Sequence, residues 1–194
     1  MEPSQVSNYL TLRLDGKAVP YGGMTEPRPD GSQNFGFLNV KGNLVAAAAI
    51  PELAGDAALK SLVLAISDAK CGLFSVGCLS GDVTESDGHR VTGYLEFALN
   101  SKAKVTDASN YFPLFFKFHI LLRDNQFNEP VVLHWELRPA VFHELDVNGF
   151  TCAITINTNF FPSAELARHC WNETLGALEV YLGNFPVMTA DPMY

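Results

Sequence analysis

The chain has 194 residues, 47% of them hydrophobic and 18% charged, with 14 phenylalanines. That is enough apolar material for one folded domain with a sizeable core, and it excludes a disordered body. Against 21 Asp and Glu stand 13 Lys and Arg, a formal charge of −8, which argues against nucleic acid as a direct partner because counterion release needs clustered cations.

The N-terminal residues 1–8 are polar and carry neither a basic stretch nor an apolar core of the secretory type. With 186–194 they are expected as peripheral tails of a single domain, 1–194. Around Asp15-Gly16 the leucines Leu10, Leu12 and Leu14 alternate with Tyr9, Thr11 and Arg13, and Val19 and Tyr21 return on the leucine face. This predicts a half-buried hairpin. The Gly- and Pro-rich stretch 22–33 reads as a long surface loop. Its neighbourhood supplies the expected loop contacts Tyr21, Met24, Glu26, Arg28 and Asp30.

A second hairpin is expected from Phe35–Val40 and Leu44–Ile50 about Gly42-Asn43. Asp56 then caps a helix over 56–70, in which Leu59, Leu62, Val63 and Ile66 recur at helical spacing. A long hairpin turns at Asp87-Gly88, setting Glu85 opposite Arg90, and Val76 and Cys78 opposite Leu99 and Phe97. After a polar connector, 114–138 reads as a hairpin about Gln126/Phe127. One face carries Phe116, Phe118, Ile120 and Leu122 against Val131, Leu133, Trp135 and Leu137. The other face sets His119 opposite His134 and Lys117 opposite Glu136.

A further hairpin at Asn148-Gly149 places His143 and Cys152 on its core face, and Ser163 caps a closing helix over 163–182. The expected fold is therefore α+β: a mainly antiparallel sheet of about ten strands built from successive hairpins, with two helices.

Nucleophile-elbow, phosphate-loop and zinc-protease motifs are absent from the sequence. The first half of a deaminase signature at His134-x-Glu136 lacks its P-C-x-x-C half. No cofactor, catalytic residue or metal ligand is assigned. The longest apolar run, 44–50, falls far short of the ~20 residues of a membrane span. The four cysteines, Cys71, Cys78, Cys152 and Cys170, form no C-x-x-C pair and suit reduced thiols in the cytoplasm.

The expected interaction surface is Lys117, His119, His134, Glu136 and Arg138. The sequence reads as a non-enzymatic protein–protein interaction module of the inhibitor, immunity, viral accessory or assembly-subunit type. It acts through an acidic surface and exposed sheet or loop segments, toward a partner with a basic surface or a second copy of itself. The alternatives are a hydrolase or isomerase using His119, His134 and Glu136, and a small-ligand binder with an aromatic pocket.

Overall fold

The computed structural model describes residues 6–23, 26, 35–187 and 191–194. Among these the fold is α+β, with six strands in one mixed, mostly antiparallel sheet and five α-helices. The elements are β1 (Ser7–Leu12), β2 (Lys17–Val19), α1 (Leu44–Ala48), α2 (Ala57–Ser67), β3 (Leu73–Glu85), β4 (Gly88–Leu99), α3 (Lys102–Val105), α4 (Phe112–Asp124), β5 (Val131–Phe142), β6 (Val147–Thr158) and α5 (Ala164–Gly183). The sheet order is β1-β5-β6-β4-β3, with β2 also on the outer edge of β5.

The expectation of about ten strands and two helices is overturned in three places. Residues 112–124 form a helix rather than the first strand of a hairpin. An aromatic-rich run can satisfy two periods at once: Leu114, Phe115, Phe118 and Leu122 share one buried helical stripe, and Pro113 sits in the first turn where its missing N–H costs nothing. The alanine-rich stretch 44–48 is also helical, capped by the Asn43 side chain on Ala46 N, in keeping with alanine being the best helix former.

The third correction is at Asp15-Gly16, where the chain does not reverse. Both β1 and β2 run parallel to β5, Ser7 beside Val132 and Val19 beside Phe142. Between them Arg13 N bonds to Leu137 O, so odd-numbered residues of β5 direct their backbone groups to this edge. Pro139 is the next of these and has no N–H to offer, which is where the ladder breaks and Gly16 detours. Leu14 is consequently 96% exposed rather than half-buried.

Both long hairpins have their own registers. The turn at Asp87-Gly88 holds, with Gly88 at φ +124°, but Glu85 faces Gly88 and Cys78 faces Leu95. This is two residues from the expected pairing, so each side chain keeps its face, and Arg90 still reaches Glu85 diagonally at 3.4 Å. A bulge between Ser75 and Gly77 takes up one further residue. The β5–β6 turn lies at 143–146, where Asp146 adopts φ 52°, and not at Asn148-Gly149. His143 is thus an exposed turn residue and not a core one. Gly149 lies within β6, where a Cβ would stand 2.7 Å from Val105 O.

The helices α2, α4 and α5 cover one sheet face. Trp135 of β5 meets Phe97 of β4 edge-on at 6.3 Å and Phe118 of α4 at 5.7 Å, while Trp171, Leu175 and Leu178 of α5 are fully buried. Both predicted helices are present, shifted by a residue or a few at their ends, with caps at Asp56 and Ser163 as expected. Residues 191–194 dock against the opposite end of the sheet. Asn100 Oδ1 accepts from Met193 N and Tyr194 N at 2.9 Å each, and the Tyr194 ring packs edge-on against Phe74 at 5.0 Å.

One buried carboxylate joins the layers. Asp56 Oδ1 accepts from Leu59 N at 2.9 Å, and Oδ2 accepts from Ser80 Oγ at 2.7 Å, Trp171 Nε1 at 2.8 Å and Arg168 Nη1 at 3.0 Å. Burial pushes its pKa up. The bonds from Leu59, Ser80 and Trp171 and the Arg168 charge outweigh that and hold it below the ordinary carboxylate value. Asp56→Ala is expected to cost about 3 to 4 kcal/mol in urea unfolding, since it strands the buried Trp171 N–H and the half-buried Ser80 and Arg168 donors and uncaps α2. The carboxylate contributes fully above about pH 4 and less as pH falls through its lowered folded value. The stability gap between wild type and Asp56→Asn should therefore narrow in acid.

Candidate functional site

Alternation along β5 separates the residues that the sequence pattern had grouped. Trp135 and Leu137 point into the helix layer, whereas His134, Glu136 and Arg138 point to the other face. Lys117 and His119 lie on α4, on the helix side, both exposed; His119 stacks on Phe115 and its Nδ1 lies 3.5 Å from Asn8 Nδ2. The pairings His119–His134 and Lys117–Glu136 are not made, because α4 replaces the strand they required. Among the described residues no group of three His, Cys, Asp or Glu is placed to hold a metal ion.

On the face opposite α2, α4 and α5 the strand register sets residues in rows. One row runs Tyr94, Thr155, His134, Tyr9; the next runs Glu96, Ala153, Glu136, Thr11. His134 stacks on Tyr9 at 4.5 Å, and its Nε2 lies 2.6 Å from Thr11 Oγ1. Each glutamate flanking Ala153 has a cation. Lys17 Nζ donates to the nearly buried Glu96 at 2.7 Å, and Glu136 accepts from Arg138 at 3.0 Å and Arg13 at 3.4 Å. Arg13 also pairs with Asp15 at 2.8 Å, and its hydrogen bond holds that carboxyl below its usual range. Lys17, Glu96, Glu136 and Arg138, with Tyr21 and Thr155, bound a polar basin of about 340 Å³.

A second cavity of about 280 Å³ adjoins it, an apolar cleft between the β3 edge at Ser75–Leu79 and a wall formed by Phe35–Leu38 and Ile50–Glu52. Tyr21 and Tyr94 line both cavities. Tyr21 is the post between them: its hydroxyl donates to Val76 O at 2.9 Å, its carbonyl accepts from Phe37 N at 3.0 Å, and Lys17 Nζ lies 4.6 Å from its ring centroid. Gly77 makes this possible, since a Cβ there would lie 2.6 Å from the Tyr21 hydroxyl. Burial pushes the Tyr21 phenol pKa up, so the group stays a neutral donor.

The wall is anchored from behind by Lys41. Its ammonium lies within hydrogen-bond reach of the carbonyls of Ile66, Asp68, Cys71 and Leu73, at 3.1, 2.6, 2.7 and 2.6 Å, tying the 36–50 segment to the turn from α2 into β3. Cys78 lines the cleft, and burial pushes its pKa up to about 12, which keeps it a thiol rather than a nucleophilic thiolate. Phe35, Leu38 and Leu79 stand 51%, 54% and 37% exposed at the rim. The Thr11–His134 pair lines neither cavity.

Of the loop contacts read from sequence, Tyr21 belongs to the site and Glu26 is exposed; Met24, Arg28 and Asp30 lie outside the described residues. Tyr94 and Glu96 were legible as the outward positions of an alternating strand, Thr92-x-Tyr94-x-Glu96. Lys17 and the wall residues carried no local signal, because their roles depend on which distant strand they meet. Tyr21→Phe is expected to cost about 1 kcal/mol by leaving Val76 O without its donor. Tyr21→Ala should merge the two cavities and raise the fluorescence of an added anilinonaphthalene sulfonate dye. No family model, curated protein or solved structure matches this chain.

Proposed function

We propose that this chain is a non-enzymatic binding module that engages another protein through the apolar cleft and the adjoining open sheet face. The observation that carries the reading is the cleft itself: an aromatic and aliphatic slot whose rim leaves Phe35, Leu38 and Leu79 in solvent. Grouped apolar side chains beside a concave, rigidly backed slot are the usual anatomy of a surface that accepts an anchoring side chain. The formal charge of −8 favours a partner with a basic surface, attracted over distance and screened by salt. The four free, buried cysteines favour the reducing cytoplasm as its compartment.

A second reading, a small apolar ligand, is favoured by the cleft's volume of about 280 Å³, close to the lower end of small-molecule pockets. That reading predicts a thermal shift with some member of a fragment library and no binding of peptides.

Selection of a displayed random-peptide library on the immobilised chain tests the first reading. Peptides should be enriched on the wild type and lost from a Phe35→Asp/Leu38→Asp double variant whose circular dichroism is unchanged. Their affinity should fall about tenfold between ~0.05 and ~0.5 M salt. Absence of enrichment over a blank surface would overturn the reading.

A further inference from the structure

We propose that the outer edge of β3, from Gly77 to Glu85, takes up an extended segment of a partner protein as an additional strand. The segment places a large apolar side chain in the cleft and a Lys or Arg beside Asp82 or Glu85. This rests on the binding reading above and assigns its mode.

The edge is open where the cleft ends. β3 is terminal in the sheet order, and on its outer side Leu73 O is taken by Lys41 and Val76 O by Tyr21. Beyond Val76, among the described residues, the strand's backbone hydrogen-bonds to β4 alone. An unpaired edge of this length is a template for another strand, since its outward N–H and C=O groups repeat along the strand. A Cβ on Gly81 would meet nothing within 4 Å, so the sheet face beside the middle of this edge is uncovered as well. The cleft abuts the same strand at Ser75–Leu79, so a segment lying along the edge passes directly over the slot.

The charges select the occupant. β3 carries Asp82 and Glu85 and neither Lys nor Arg, and the ionisable carboxylate of the cleft lining is Glu52. Asp82 and Glu85 each meet one arginine, Arg168 at 2.7 Å and Arg90 at 3.4 Å, yet stand 59% and 50% exposed with acceptor capacity left over. A second copy of β3 brings two further acids and no base to this edge, on a chain of formal charge −8, which disfavours self-pairing. A basic partner strand is matched instead. By strand alternation Leu79 and Glu85 share one face six positions apart, while Asp82, paired with Arg168 of α5, lies on the helix face. A basic residue about six positions from the anchor therefore meets Glu85, and one about three positions away meets Asp82 from the strand's other face.

Hydrogen–deuterium exchange on the full chain, with and without the peptides recovered from the displayed library, tests the assignment. The recovered peptides should pair a large apolar residue with a nearby Lys or Arg, and they should slow exchange in 77–85 about tenfold or more. Leu79→Glu and Glu52→Lys should each weaken binding about tenfold with the circular dichroism unchanged. Protection confined to the polar basin or to α4 would overturn strand addition while leaving the binding reading intact. Peptides without a basic residue would overturn the charge assignment. Protection of 77–85 that appears on concentrating the chain alone would overturn the choice of partner in favour of a second copy. Recovery of no peptide would overturn both this assignment and the reading beneath it.

Discussion

The buried carboxylate of Asp56 is the constraint on which the layering of this molecule depends. One oxygen ends the loop before α2 by capping it; the other receives β3 through Ser80 and α5 through Trp171 and Arg168. A charge buried to 4% exposure is tolerable because these four donors replace its water shell. The consequence is positional. The N-terminus of α2, the middle of β3 and the first turns of α5 have one arrangement in which all four bonds are made, so the helix layer is locked to one face of the sheet. Gly93 adds to this from below, since a Cβ there would stand 2.7 Å from the Trp171 ring.

Locking the helices to one face leaves the other face to be finished by irregular chain. Residues 20–21, 35–38 and 191–194 cover one end of it, packing Tyr21, Phe37 and Tyr194 in a chain of ring contacts that reaches Phe74 and Phe142. They stop short of the middle, where the basin lies. The chemistry of the two cavities differs for a simple reason. The basin sits over the centre of the sheet, where Glu96 and Glu136 are admitted only because Lys17, Arg13 and Arg138 pair with them. The cleft sits at the sheet's rim, where a wall held by Lys41 and Tyr21 supplies aromatic and aliphatic side chains.

Much of the local structure was legible because its signal is short-range. The Asp56 and Ser163 caps, the Asp87-Gly88 turn and the apolar stripe of α2 each involve residues within a few positions of one another. Asp15-Gly16 and Asn148-Gly149 carry the same dipeptide signal and make no hairpin turn, because β5 offers an edge that β1 and β2 extend along, and because the 143–146 turn closes the hairpin first. In 112–124 the strand and helix periods were both satisfied by the same aromatic run, and burial against Trp135 and Tyr181 selects the helix. The residues that a strand there would group, Lys117 and His119 with His134 and Glu136, separate accordingly onto opposite sides of the sheet.

Composition and local spacing were sufficient for the α+β class, the amphipathic helices α2 and α5 and the turn of the β3–β4 hairpin, since these follow from side chains that interact across a turn or a single helical face. The parallel placement of β1 and β2, the side of the sheet that stays open, and the meeting of Tyr21, Tyr94, Lys17 and Glu96 depend on strands from distant parts of the chain finding one another. Tertiary packing supplied these, because strand partners are chosen by complementary edges and buried faces across long separations, for which a stretch of sequence carries no local record.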